Sequence, residues 1–342
     1  MANVARILSI DGGGIRGIIP ALILQRIEER LGKPISELFH MIAGTSTGGI
    51  LACSLTAPAV EGRPRTAAEI VDLYRLRGKD IFKSSFWHGF GSIGGMVDEK
   101  YPSQYIEEVL QEYLENVRLS QIEQDLLVTS YNIHSRKPYF FKSWKARGEQ
   151  LRENESARGR DFLLRHVARA TSAAPTYFEP AYAPNVDGAS VPLIDGGVYA
   201  NNPVMCALSS ARILYPKATR FLIVSLGTGE TQREIPYDKA KDWGLLEWAR
   251  PLLYVLFDGV SDVADYHMQQ MFSSRDYFRF QIDISNDMND QMAPNDDMDD
   301  ATPENIKKLE AAAQTILKEE KAHFSRLIQQ LRTPKTEKAD LS

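Results

Sequence analysis

Ser46 is placed where a nucleophile belongs. It lies in Gly44-Thr45-Ser46-Thr47-Gly48, a Gly-x-Ser-x-Gly pattern. A short apolar run, Leu38 to Ala43, precedes it, and a second apolar run, Ile50 to Leu55, follows. The first has the length of a buried strand and the second reads as the opening of a buried helix. A serine on such a strand-to-helix turn exposes its hydroxyl, and the helix N-terminus beneath it favours developing negative charge. A turn of small residues can share the pattern, but this one also has the strand and helix that the chemistry needs.

A second candidate is the loop Asp11-Gly12-Gly13-Gly14-Ile15-Arg16-Gly17, which follows one apolar run and opens another. It contains Gly12-x-Gly14-x-x-Gly17, the dinucleotide-binding spacing, but that reading wants an acidic residue at the end of the second strand. Glu37 falls before that strand, and the serine turn occupies its end. A phosphate loop would need Gly-Lys-Ser/Thr, which is missing. The run could also be a tight turn needing positive φ, although it is longer than a turn requires. The remaining reading is an oxyanion hole, in which successive glycines let backbone N–H groups approach a developing charge. With Ser46 in view, this is the expectation.

A serine nucleophile needs a base. None of the six histidines (His40, His88, His134, His166, His267 and His323) lies in a late Gly-, Asp- or Ser-rich loop after a strand, where a triad histidine is expected. Asp195 ends the apolar run Val191 to Ile194 and precedes Gly196-Gly197, which leaves its carboxylate uncrowded. Taken alone, it would be a turn aspartate.

These positions need a frame. The pattern predicts a strand at 5–10, a helix at 18–31 closed by Gly32 and Pro34, then the serine strand and its helix. Further helices are expected at 66–78, after Ser103, at 161–170, after Asn202-Pro203, at 245–272 with a weak point at Gly259, and from Thr302-Pro303 onward. Strands are expected at 126–131, 138–141, 191–194, 221–226 and 277–284. Strands alternating with helices imply an α/β fold with a mainly parallel sheet covered on both faces. Phe82, Phe86, Trp87 and Phe90 stand among glycines and serines, which fits a mobile lid or interfacial loop as well as it fits core packing. From Asp283 to Asp300 the chain has seven aspartates and no Lys or Arg. It lacks the glycine and spaced glutamate of a calcium loop, so a solvated loop and no metal are expected. The tail from Thr333 is polar and is expected to fray. One catalytic domain over 1–284 is expected, with 285–342 contributing an acidic loop and a C-terminal helix packed on it.

The chain has 342 residues, 43% hydrophobic and 25% charged, with net charge −5. That is the balance of a soluble globular protein, and it offers no footprint for a nucleic-acid polymer. The two cysteines, Cys53 and Cys206, make no disulfide framework and fit a reducing compartment. No signal peptide is apparent, and no apolar run reaches the ~18–20 residues that span a bilayer. A cytoplasmic protein touching membranes transiently is the expectation.

Asp-Gly-Gly-Gly-x-Arg-Gly, then Gly-Thr-Ser-Thr-Gly, then Asp195-Gly196-Gly197 together resemble the patatin-like phospholipase family. Ala170-Thr171-Ser172-Ala173-Ala174-Pro175 resembles that family's segment ahead of its aspartate. The resemblance covers about Arg6 to Gly229. It implies a three-layer α/β/α sandwich and a Ser–Asp dyad that hydrolyses lipid esters without a histidine or a cofactor. Carried over, Ser46 is the nucleophile, Asp195 the base, and Gly12, Gly13 and Gly14 the oxyanion amides, with Arg16 as an electrostatic helper and Gly44 and Gly48 framing the turn. The implied substrate is a membrane phospholipid or other glycerolipid, met by peripheral contact. Some bacterial proteins similar to this one are antiphage effectors switched on by cyclic nucleotides, so a small-molecule activator is a further expectation. An acyltransferase or a non-catalytic lipid-binding module stands as an alternative.

Overall fold

The computed structural model describes residues 3–58, 63, 65–81, 101–230, 234–284 and 293–342. Eight strands form one sheet: β1 (Val4–Ile10), β2 (Met41–Gly44), β3 (Asp125–Asn132), β4 (Lys137–Lys142), β5 (Ala181–Pro184), β6 (Ser190–Asp195), β7 (Arg220–Leu226) and β8 (Tyr277–Phe280). Their order is β5-β6-β3-β2-β1-β7-β8, with β4 also paired to β3. The run β3-β2-β1-β7-β8 is parallel throughout, while β4, β5 and β6 join by antiparallel pairings.

Among the described residues, the helices of eight or more residues are α1 (Ile18–Leu31), α2 (Thr47–Thr56), α3 (Ala67–Ile81), α4 (Ser103–Leu114), α5 (Leu164–Thr171), α6 (Val204–Leu214), α7 (Leu245–Met271), α8 (Pro303–Glu319) and α9 (Lys321–Leu331). They cover both faces of the sheet. Alternation along the strands shows the two layers. Leu8, Ile10, Ile42, Val128 and Val224 join the core shared with α1 to α5, α8 and α9. Ile7, Met41, Ala43, Leu127 and Ile223 join the core under α6. Strands buried on both faces are apolar almost throughout, which is why 5–10 and 221–226 were legible as runs. The architecture is the three-layer α/β/α sandwich expected.

Register decides where chemistry can sit. Ile10 pairs with Gly44 on one side and Leu226 on the other. The loops after β1, β2 and β7 therefore leave one edge of the sheet together. Ser130 of β3 pairs with Asp195, which brings the end of antiparallel β6 to that same edge. Ligands of open α/β sheets bind beyond the carboxyl ends of parallel strands.

Several expectations are corrected. β5 has no counterpart in the sequence reading, because its four residues alternate buried and exposed on an edge. The C-terminal helix is two helices, broken at Glu320. The tail is docked, with Leu341 fully buried. Thr333 O accepts from Arg6 Nη2 at 2.6 Å, and Lys338 Nζ meets the buried Asp125 carboxylate at 2.7 Å. Helix α7 runs through Gly259 without a break. The described end of the acidic stretch, 293–301, is partly to fully buried rather than solvated. Its Asp299 accepts from Tyr101 Oη at 2.7 Å and its Asp300 from Asn295 Nδ2 at 2.9 Å, so these two carboxylates close hydrogen bonds within the fold. The aromatic stretch Phe82–Phe90 lies outside the described residues.

Candidate active site

Ser46 caps the N-terminus of α2 with φ 53° and ψ −125°, a backbone conformation that L side chains rarely adopt. The turn imposes it by close packing. A Cβ on Gly44 would fall 2.1 Å from Gly48 O, and one on Gly48 would fall 2.2 Å from Ile10 O. Side chains brace the turn. Thr171 Oγ1 accepts the Ser46 N–H at 2.8 Å. Thr45 Oγ1 lies 2.7 Å from Thr129 Oγ1 and donates to Ala200 O at 2.7 Å.

Asp195 is fully buried beside Ser46. Its Oδ1 accepts the Gly197 N–H at 2.7 Å. Its Oδ2 is buried and closes no hydrogen bond. Burial pushes this carboxyl up to about 7, against the opposing pull of the Ser46 hydroxyl and the Gly197 N–H. The hydroxyl is thus close enough to favour the charged carboxylate while standing short of a formed bond. Catalytic hydrogen bonds are often long or poorly aligned before substrate arrives.

The glycine loop crosses above the serine. Gly12 donates its N–H to Asn201 O at 3.1 Å, and its own carbonyl accepts from Thr228 Oγ1 at 2.7 Å. The N–H groups of Gly13 and Gly14 meet no partner among the described residues. Gly14 has φ +60° and a Cβ there would sit 2.0 Å from Met298 O, so both conformation and space call for glycine. The Ile15 N–H donates to Met298 O at 2.8 Å, which ties the loop to the buried acidic segment. Arg16 is buried, and its Nε reaches Gly13 O at 3.4 Å. Desolvation lowers its pKa, opposed by Asp258 and Asp296. Asp11 anchors the start of the loop through Arg279, Nη2 to Oδ2 at 2.7 Å.

A largely apolar pocket opens from Ser46 and Gly14. Ile50 of α2, Leu73 and Ile81 of α3, Ile106 of α4, Phe178 and Met298 form much of its wall. Helix α7 contributes Phe257. Of the five described histidines, none lines this pocket. His40 shows the usual structural role: Nδ1 accepts the Arg6 N–H at 2.9 Å, and burial lowers its pKa to about 4. His88 lies outside the described residues.

The structure brings Ser46, Asp195 and the glycine loop together. Four braces escaped the sequence reading: Thr171, Asn201, Thr228 and Met298. Thr171 lay within a segment singled out for its resemblance, and Asn201 stands six residues past Asp195. Thr228 and Met298 are distant in sequence and carry no local signal.

These features define an α/β protein with a strained serine and a buried aspartate under a glycine loop. The chain belongs to the patatin-like phospholipase family: the family's profile matches residues 8–208. It is 34% identical over 319 residues to patatin-like protein 2 of Arabidopsis thaliana, covering 82% of this chain and 76% of that one. Patatin-12 of Solanum tuberosum is 32% identical over 350 residues, covering 93% and 85%. Probable inactive patatin-3-Kuras 1 of Solanum tuberosum is 33% identical over 303 residues, covering 81% and 77%. Among solved structures, the crystal structure of VipD from Legionella pneumophila aligns with TM-score 0.39 and 12% identity, over 92% of this chain and 67% of that one. Family membership supports a lipid acyl hydrolase. Because one relative is named inactive, the case for catalysis by this chain rests on its own residues.

Proposed function

We propose that this protein is a phospholipase A-type lipid acyl hydrolase working through a Ser46–Asp195 dyad. The observation that carries the reading is the buried Asp195 carboxyl, with Oδ2 unbonded beside the strained Ser46 and no described histidine lining the pocket. Ser46 Oγ attacks the acyl carbonyl carbon as Asp195 Oδ2 takes the hydroxyl proton. The carbonyl π pair becomes an oxyanion, received by the N–H groups of Gly13 and Gly14. Gly12 is left a supporting role, since its N–H is engaged by Asn201. Arg16 holds the loop through Gly13 O and adds positive charge nearby. A single oxyanion donor is worth ~3–4 kcal/mol of barrier. Collapse breaks the ester C–O bond, and the lysolipid alkoxide leaves with the proton from Asp195. Water, deprotonated by the same carboxylate, then attacks the acyl-enzyme. The second collapse frees the fatty acid and returns the proton to Ser46.

A carboxyl with a pKa near 7 suits both roles at neutral pH, as base in attack and acid in departure. The apolar pocket beside Ser46 suits an acyl chain. The test is incubation with phospholipid vesicles and mass spectrometry of the products. The expected result is free fatty acid and lysophospholipid in equal amounts from the parent and neither from Ser46→Ala. Acyl transfer to an added alcohol in place of free fatty acid would make the protein an acyltransferase. No product would end the enzymatic reading.

A further inference from the structure

Helix α7 has an apolar side that the fold leaves uncovered. Leu245, Leu252, Val255, Leu256, Val263 and Tyr266 are all exposed, Leu245 by 87% and Tyr266 by 60%. At 3.6 residues per turn these six share an arc of about 100° along roughly 30 Å of helix. The buried residues Leu253, Phe257, Ala264 and Met268 project from a separate arc that packs on the body of the protein. A contiguous exposed apolar stripe of this length marks an interaction surface.

The inner side of the same helix holds the site. Phe257 lines the pocket with Ser46, and its ring would stand 2.9 Å from a Cβ on Gly197, whose N–H bonds Asp195. Ser261 Oγ accepts from Asn201 Nδ2 at 3.0 Å, and Asn201 O holds the glycine loop. Tyr254 Oη lies 3.0 Å from Tyr177 Oη, and Tyr177 also lines the pocket. One helix therefore has an outer apolar stripe and an inner row that touches the Asp195 loop directly and the glycine loop through Asn201. Its polar flank carries Asp258, Asp262 and Asp265, and residues 251–271 contain no Lys or Arg. Such a flank gives no attraction to anionic lipid. Two copies paired antiparallel through the stripe would set these acidic flanks against each other.

We propose that α7 docks the protein on a zwitterionic phospholipid surface, the stripe entering the interface while the inner row keeps the catalytic loops on the pocket. The choice of lipid as occupant rests on the lipid acyl hydrolase reading, since the pocket that α7 walls would draw its substrate from that surface. Binding is apolar and so persists at high salt, where an electrostatic attachment would dissolve.

The test is flotation with phosphatidylcholine vesicles, comparing Ser46→Ala with Ser46→Ala carrying Leu252→Gln, Val263→Gln and Tyr266→Gln. We expect at least a tenfold loss of vesicle binding in the stripe variant and salt-insensitive binding in its parent. With Ser46 restored, hydrolysis of a short soluble ester should stay within twofold and the Tm should hold, because all three positions are exposed. Unchanged flotation, or a parent that does not float, would overturn the proposal. So would a parent dimer that the variant dissolves, since the stripe would then hold a second copy. A matching fall in soluble-ester turnover and Tm would also overturn it, since the stripe would be structural. Loss of binding as expected, with no fatty acid released from vesicles by the Ser46-restored parent, would leave the docking helix standing and remove the hydrolase reading.

Discussion

Replacing Asp195 with asparagine should silence the protein and stabilise it. The carboxyl is fully buried, and its pKa stands near 7 against an ordinary 3.8. Raising a pKa by one costs the ionised form about 1.36 kcal/mol, so keeping Asp195 ionised in the fold costs up to ~4 kcal/mol. The sign follows from linkage. The folded pKa lies above the unfolded one, so the native state is unpenalised below pH ~4 and loses stability as pH rises toward 7. Above pH 7 the penalty is constant. Asparagine carries none of it: its Oδ1 can keep the Gly197 N–H, and its Nδ2 can donate to Ser46 Oγ. The Asp195→Asn variant should therefore gain ~1 kcal/mol at pH 4.5 and ~4 kcal/mol at pH 8.5, as an upper bound. At about 2.1 cal/mol/K of unfolding entropy per residue, the larger figure lifts the Tm by up to about 6 °C. Urea unfolding of both proteins at the two pH values measures it, with soluble-ester turnover recorded alongside. A variant less stable than the parent at pH 8.5, or a difference that ignores pH, would refute the burial argument. Retained turnover would refute the role of the base.

Three further outcomes are expected. The kcat/KM for a short soluble ester should rise about tenfold per pH unit below an apparent pKa near 7 and level off above it, and single replacement of each histidine should leave that limb in place. Ser46→Gly and Ser46→Ala should both be inactive, but glycine should be the more stable by ~1 kcal/mol or more, because only glycine sits at φ 53°, ψ −125° without strain; equal unfolding midpoints would contradict this. Thr171→Val should cost ~1–3 kcal/mol by orphaning the buried Ser46 N–H and should lower kcat more than it changes KM, whereas Thr171→Ser should keep both near the parent in a steady-state assay.

The sequence was most readable where one segment carries its own reason. Strands β1 and β7 declared themselves because burial on both faces makes a run apolar, and the Ser46 turn because close packing admits only small residues on either side. Asp195 became meaningful only in company: its short apolar strand and two glycines also describe an ordinary turn. The less legible parts depend on contacts between distant segments. Met298 closes the glycine loop from 284 residues away, within a stretch whose aspartates read as solvated. In the fold two of them, Asp299 and Asp300, are engaged by Tyr101, Asn295 and the Thr302 N–H. The tail read as frayed because only Leu341 is apolar at its end, and the buried Asp125 that recruits Lys338 belongs to a distant strand. The commitment of the Gly12 N–H to Asn201 also follows from register, which no local pattern encodes.

Ser46 becomes a covalent nucleophile by passing its proton to Asp195. Labelling with a fluorophosphonate, followed by intact mass and peptide mapping, tests this most directly. One adduct per chain is expected, on Ser46, formed faster as pH rises through 7 and slowed by orders of magnitude in Asp195→Asn although that variant is folded. An adduct on another residue, or unimpaired labelling of Ser46 in Asp195→Asn, would contradict it.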